Sequence, residues 1–440
     1  RGLGDVYKRQ RLPRVRNMRL FWALLISRIA RVATRLRGGG SAFPGWILLR
    51  LVPDVLARTL GSVPGGVIFV TGSNGKSTTT TMVSAVLAEH GVRVFTNPAG
   101  GNLPQGLASA VVAQCSLFGR VRADVAVLEV DEAYGPQIAE LLRPDWVVVT
   151  NLQVDQLNRF GEPENVYRML RTLALRAKKG VLVNQADPNL VALAHEVREA
   201  GISANATDVS PAAVASQAHG LVAAPLFFDF EHTPDASPIA VLESTQGAEA
   251  SIALGAIAHS VKLPSPGLHY AVDAALALGV ATLTLGRALE GSAITRAFSH
   301  QAPVFGRGET ISYRGREISL TMMKNLPSLQ VNLAALEGPL EIVWVAVDEG
   351  TPDPSWIFDV DVGPIDHVDV LSGTKAAQWA LFLEYRGIPY GAIVEDTPEA
   401  LTTVARLAHD TAQPVTAIVN YEQMMLIRRL AGYKELEGAK

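Results

Sequence analysis

A chain of 440 residues, 48% hydrophobic and 18% charged, is long enough for two or three domains with cores of their own, and its composition excludes a disordered polymer. The net charge of -3, from 39 basic and 42 acidic residues, gives no global bias toward nucleic acid. The single cysteine, Cys115, excludes an internal disulfide framework and a cysteine-based zinc site and fits a reducing compartment, while the nine histidines are scattered without an H-x-x-x-H pair.

Residues 1–17 are basic and lack a hydrophobic pattern, and the first methionine is Met18. The stretch 20–29 is apolar, but Arg28, Arg31, Arg35 and Arg37 cut the run too short to span a bilayer. No small-residue cleavage site follows it cleanly, which argues against a secretory signal. The segment reads as a basic amphipathic helix, resting either on its own protein or on an anionic membrane surface. Gly38-Gly-Gly-Ser-Ala-Phe-Pro44 then breaks the chain, so a first segment of 1–44 is expected to precede a domain starting near residue 45.

From there apolar runs at 67–70, 92–95, 125–130, 146–150 and 180–183 alternate with helical spacing over 79–90, 133–142 and 166–177. Such alternation predicts an α/β domain with a parallel sheet covered on both faces, whose ligands sit at the carboxyl ends of the strands. Cys115 lies in an apolar helical stretch, where a buried structural thiol is expected rather than a nucleophile. Residues 203–260 are rich in Ala, Ser and Pro and read as a smaller, loosely patterned insertion with strand candidates at 223–228 and 239–242. Helical segments at 270–283 and 285–299 close this domain, 45–299. A second α/β domain, 300–440, follows, with strands expected at 309–313, 317–321, 340–347, 367–371 and 414–419 and helices at 375–385 and 398–410.

The run Val67-Ile-Phe-Val-Thr-Gly-Ser-Asn-Gly-Lys-Ser-Thr-Thr-Thr80 carries the clearest chemistry. A strand entering a Gly-rich turn that opens a helix aims backbone N–H groups at one spot, on the positive end of the helix dipole. Gly72, Ser73, Asn74, Gly75, Lys76, Ser77 and Thr78 would cradle nucleotide phosphates, with Lys76 reaching the outer phosphates and the Ser77 hydroxyl placed for Mg2+. Position 70, where the usual phosphate loop has glycine, is Val70. Glu129 and Asp131 end a strand on one face by alternation, followed by Glu132, and suit either a hard cation shared with Ser77 and phosphate or a strand end facing water. After the next strand, Asn151 opens a stretch in which Asp155, Gln156 and Arg159 suit the γ-phosphate or the metal. Asn184 and Asp187, after the strand beyond, suit recognition of a nucleoside edge or a helix cap.

In order along the chain, G-S-N-G-K-S-T, Asn97-Pro-Ala-Gly-Gly-Asn102, Glu129-Val-Asp-Glu-Ala133, the N-L-x-x-D-Q-L stretch from Asn151, Arg159-Phe-Gly-Glu162, Phe305-Gly-Arg-Gly-Glu309, Lys324-Asn325, Asp353-Pro-Ser-Trp-Ile-Phe-Asp359 and Ser372-Gly373 resemble the Mur ligase superfamily. Within it they are similar to the MurT-type subunit of lipid II isoglutaminyl synthase. The resemblance implies a Mur ligase-like central P-loop ATPase domain with a C-terminal Rossmann-like α/β domain. It implies an ATP- and Mg2+-dependent carbon–nitrogen ligase that activates the D-glutamate α-carboxyl of the lipid II stem peptide as an acyl phosphate for amidation by ammonia. Lys76 and Glu129 would serve catalysis, Ser77 and Glu129 the metal, and Asn151, Asp155, Asn184, Asp187 and Arg307 the nucleotide.

The ammonia source implied is a separate GatD-type glutamine amidotransferase subunit, whose Cys–His pair an Asp of this chain completes. The match puts that role on Asp353, with Asp359 as fallback; Thr-Pro-Asp-Pro is equally a turn signal. Lipid II or a related muramyl peptide is the substrate expected, with a cytoplasmic location that allows peripheral contact with the inner membrane face. Departures mark a divergent member: residues 203–260 hold no cysteines, so no zinc is expected; Asn158 replaces a second Asp; Tyr270 and Asp273 stand where Asn residues are usual; Leu326-Pro-Ser follows Lys324-Asn325 in place of Pro-Ala-Gly; and the D-G-R run expected before Asp353 is absent. Alternatives are a muramyl-peptide or folylpolyglutamate-type ligase that adds an amino acid, or a catalytically silent scaffold for the glutaminase.

Overall fold

The computed structural model describes residues 3–36, 42–98, 100–153, 161–215, 232–299, 307–334, 336, 338–350 and 355–433, with side chains of the first helix described from Met18 onward, apart from Arg35. Two sheets organise the chain. The first holds β1 (Val67–Thr71), β2 (Val94–Thr96), β3 (Val125–Glu129), β4 (Trp146–Val149), β5 (Gly180–Asn184), β6 (Ala204–Val209), β7 (Ala240–Gln246), β8 (Glu249–Leu254) and β9 (Ile257–Lys262), in the order β2-β3-β1-β4-β5-β6-β7-β8-β9. Strands β2 to β7 are parallel, and β8 and β9 complete an antiparallel meander at one edge.

Every residue of β1, β3, β4 and β5 is buried, because helices cover both faces. Alternation along β1 sends Val67 and Phe69 to one core and Ile68 and Val70 to the other. The first core includes Leu48, Leu107, Leu170 and Leu193 from the helices Phe43–Leu51, Pro104–Gln114, Pro163–Ala174 and Pro188–Glu199. The second is filled by Met82 and Val86 of helix Lys76–Glu89 and by most of helix Leu268–Leu285. That last helix has the length and apolarity of a membrane span, but 72% of it is buried inside the protein, as a core helix.

The described residues of 203–260 join the first sheet. β6 continues the parallel array and β7 to β9 extend the same sheet. Helix Leu268–Leu285 approaches the sheet so closely at Gly279 that a Cβ there would come within 3.1–3.2 Å of Ile239, Leu182 and Thr207. The strand candidate at 223–228 lies outside the described residues.

The second sheet comprises β10 (Arg307–Tyr313), β11 (Arg316–Met322), β12 (Val343–Ala346), β13 (Val368–Ser372), β14 (Tyr390–Ile393) and β15 (Val415–Val419), in the order β10-β11-β15-β12-β13-β14. All pairings are parallel except the β10–β11 hairpin. β14, a short and largely exposed edge strand, and the helices Leu326–Ala334 and Tyr421–Leu430 were not legible as elements in the sequence.

The N-terminal helix, Leu3–Leu36, packs on its own protein: Leu20, Ala23 and Leu24 enter the first core. Arg28 fastens it, with Nε donating to Val112 O at 3.2 Å and Nη2 donating to Cys115 O.

Candidate active site

β1 lies between β3 and β4, so the chain crosses from one side of β1 to the other. That reversal opens a crevice beyond the carboxyl ends of the strands, the usual ligand position in open α/β sheets. The loop after β1 fills it. Gly72 and Gly75 have φ of 124° and 83°, a left-handed region that favours glycine, and helix Lys76–Glu89 starts immediately. A Cβ on Gly75 would meet Asp273 Oδ1 at 2.3 Å, so the turn is also too tight for any side chain.

The loop after β4 braces this turn. Ser73 N donates to Asn151 O at 3.1 Å and Asn74 N to Asn151 Oδ1 at 2.9 Å. Thr150 Oγ1 and Asn151 Nδ2 donate to Asn74 O at 2.6 and 3.1 Å. Asn151 thus shapes the cradle through both ends of its amide. Behind it, buried Asp273 accepts from Thr79 Oγ1 at 3.0 Å, placing a carboxylate beneath the positive end of the helix.

Lys76 Nζ lies inside the cradle and is nearly buried. It donates to Gly72 O at 2.6 Å and Ser73 O at 3.3 Å and pairs with Glu132 Oε1 at 2.7 Å. Ser77 Oγ donates to Glu129 Oε2 at 2.6 Å, and Asn102 Nδ2 holds the other carboxylate oxygen at 2.9 Å. Asn97 fixes the same residue by its backbone, accepting from Glu129 N at 2.9 Å and donating to Glu129 O at 3.0 Å. A hydroxyl and a carboxylate converging at the mouth of a phosphate loop form a hard-oxygen donor pair of the kind that would suit Mg2+.

Asp131 does not join that pair. The strand ends at Glu129 and the backbone turns, so Asp131 accepts from Ala133 N at 3.0 Å while Glu132 swings to Lys76. Two-residue alternation fails here because it holds only while the strand continues. Glu132 was visible in the sequence as one more acid in the run, but only the turn assigns it to Lys76.

Asn184 accepts from Ala186 N at 3.2 Å in the turn after β5. Asp187 caps helix Pro188–Glu199 by accepting from Asn189 N at 3.0 Å and also accepts from Leu152 N at 2.7 Å. Of the two uses open to them, backbone capping is the one these bonds fill, and burial pushes the Asp187 carboxyl up to about 6. Thr78 is buried, and its hydroxyl has no hydrogen-bond partner among the described residues. Asp155, with Gln156, Asn158 and Arg159, and Asp353 lie outside the described residues, as does the side chain of Arg307. Asp359 is described and exposed at the end of the short 3-10 turn Ser355–Asp359.

A contribution from the second sheet went unassigned in the sequence. Lys324, directly after β11, sends Nζ to Ser73 O at 2.9 Å, and Asn325 Oδ1 accepts from Asn74 Nδ2 at 3.4 Å. Two ammonium groups, one from each sheet, meet on the phosphate loop. Cys115 is buried, with its thiol pushed up to about 11 by desolvation, which leaves it inert at neutral pH.

Residues 70–281 match the model of the Mur ligase middle domain. Among solved structures, MurF from Acinetobacter baumannii superposes with a TM-score of 0.64 at 17% identity, covering 88% of this chain and 80% of that one. Mycobacterium tuberculosis folylpolyglutamate synthase superposes at 0.60 and 17%, covering 86% and 95%. These likenesses show a Mur ligase-like α/β fold, with residues 70–281 matching the Mur ligase middle domain.

By sequence the chain is similar from end to end to one MurT-type subunit and over a shorter segment to another. The MurT subunit of lipid II isoglutaminyl synthase from Streptococcus pneumoniae is 24% identical over 96% of this chain and 98% of its own length. The corresponding subunit from Staphylococcus aureus strain N315 is 32% identical over 39% of this chain and 38% of its own.

Proposed function

We propose that this chain is the ATP-dependent ligase subunit that amidates the peptide carboxylate of lipid II. The observation that carries the reading is the cradle itself: a glycine turn at a strand tip, Lys76 within it, the Ser77–Glu129 pair at its mouth and Lys324 reaching it from the second sheet. End-to-end similarity to MurT-type subunits supplies the substrate class.

A carboxylate is a poor acyl donor because nitrogen attack would have to expel an oxide. Its oxygen instead attacks the γ-phosphorus of ATP, ADP leaves, and the acyl phosphate carries a good leaving group. Ammonia then attacks the carbonyl carbon, and inorganic phosphate departs with the C–O bond as the amide forms. Phosphoryl transfer of this kind depends on positioning and charge neutralisation. The loop N–H groups and Lys76 bind the outer phosphates, and Glu132 and the Ser73 carbonyl release the ammonium groups to them. Ser77 and Glu129 would hold Mg2+, whose chemistry there would be charge neutralisation at the phosphates. Asn97 and Asn102 fix Glu129 for that task.

Ammonia is mostly protonated at neutral pH and needs a sheltered source. Buried Cys115 is unsuited to glutamine hydrolysis, which supports a separate GatD-type glutaminase. Exposed Phe358, Leu381 and Tyr385 beside Asp359 support docking of that partner on the second sheet's helix Ala376–Arg386. Asp353 is proposed to complete the partner's active site.

The test is amidation of purified lipid II with Mg-ATP and ammonium. Product is expected from this chain alone with ammonia, and from glutamine only with the partner present. Amino-acid addition in place of amidation would overturn the reading.

A further inference from the structure

Twelve basic residues and a single acid, Asp5, lie within residues 1–50 of a chain whose net charge is -3. Helix Leu3–Leu36 has its Leu20, Ala23 and Leu24 face bound into the first core. On the opposite side Met18, Trp22, Ile26, Ile29, Val32 and Leu36 recur at spacings of three and four, which places them on one stripe. All six are exposed: Trp22 by 54%, Ile29 by 63%, Leu36 by 83%. The stripe is about 27 Å long at helical rise. Exposed apolar surface this continuous marks an interaction site.

The neighbourhood extends it. Phe118, 73% exposed, packs on Phe21 with ring centroids 5.4 Å apart, and exposed Arg120 and Arg122 follow. Helix Phe43–Leu51 presents Phe43 and Trp46, both about half exposed and stacked at 6.0 Å, with exposed Arg50 one turn on.

Charge selects the occupant. Arg19 is exposed within the striped segment, and the helix continues back through Lys8, Arg9, Arg11, Arg14 and Arg16. Long aliphatic and aromatic side chains beside arginines, with tryptophan among them, are the composition that seats a helix at the boundary of lipid headgroups and acyl chains. Local positive charge on an otherwise acidic chain favours an anionic surface. Spanning is excluded by the opposite face, which is buried in protein.

We propose that helix Leu3–Leu36, with the exposed aromatic residues of helix Phe43–Leu51, docks this protein in the plane of an anionic lipid bilayer. The Leu20–Leu24 face keeps the sheets attached while the Met18–Leu36 stripe enters the lipid. This rests on the helix surface and not on the nucleotide reading, so either can fail alone.

The test is flotation of the full chain with vesicles of phosphatidylcholine alone or mixed with phosphatidylglycerol. Binding is expected to the mixed vesicles, to weaken with salt, and to fall about tenfold or more in Ile29→Glu/Val32→Glu, each charge being costly in an apolar interface. Both positions are exposed, and an unchanged melting temperature and ATP-binding isotherm would show that the variant stays folded. No binding of the unaltered chain to mixed vesicles, equal binding by the variant, or equal binding to neutral vesicles overturns the proposal. So does a dimer in light scattering that the variant dissociates while vesicles capture nothing.

Discussion

Lys324 Nζ donates to the carbonyl of Ser73 at 2.9 Å, joining the second sheet to the phosphate loop of the first. Lys76 Nζ donates to the same carbonyl at 3.3 Å. Glu132 offsets one of these two charges by pairing with Lys76 at 2.7 Å, so the shared carbonyl sits among two ammonium groups and one carboxylate.

Removing either charge separates their roles. Lys76→Ala is expected to lower turnover by about 100-fold or more, as for other transition-state charge donors. Lys324→Ala is expected to lose about 10-fold in ATP affinity, consistent with a charge-assisted hydrogen bond. Steady-state kinetics with calorimetric nucleotide binding would check both, and unchanged turnover in Lys76→Ala would remove the phosphate-loop assignment.

Gly75→Ala combines a φ of 83° with a Cβ 2.3 Å from Asp273 Oδ1. Left-handed backbone alone costs about 1–2 kcal/mol in an alanine. The overlap adds to it, so urea unfolding should show a larger loss. Gly75→Ala/Asp273→Ala is expected to recover the steric part and not the backbone part. A Gly75→Ala variant as stable as the parent would contradict the turn geometry.

Asp187 gives a pH signature. Burial raises its folded pKa to about 6, while the unfolded value is about 3.9. Between those values the folded state binds the extra proton, so this group's contribution to stability falls as pH rises through the window. Asp187→Asn removes that slope, by at most roughly 3 kcal/mol across it. Denaturant melts of both proteins from pH 4 to 7 would reveal it; parallel curves would place the carboxyl at its ordinary pKa.

Cys115 should resist alkylation by iodoacetamide in the folded protein and react on unfolding, since burial holds it protonated. Cys115→Ala is expected to keep glutamine-dependent amidation with the partner present. Loss of that activity alone, with ammonia-dependent amidation retained, would assign the thiol to glutamine hydrolysis.

The alternating pattern from 67 to 183 was legible because buried parallel strands are continuous apolar runs, and β1, β3, β4 and β5 are that kind. β7 was anticipated by the candidate at 239–242, whereas β6, β8 and β9 were not, because they are only partly buried and so are not continuous apolar runs. The loop Gly72–Ser77 was legible because its backbone conformation requires glycine locally.

Sequence by itself determined the strand, the glycine turn and the helix that follows, since these depend on neighbours along the chain. Tertiary structure decided which distant side chains enter: Glu132 on Lys76, Asn102 on Glu129, Asp273 beneath Gly75 and Lys324 across from the second sheet. Local preference encodes backbone conformation, whereas a contact between residues 251 positions apart exists only once packing has fixed both sheets.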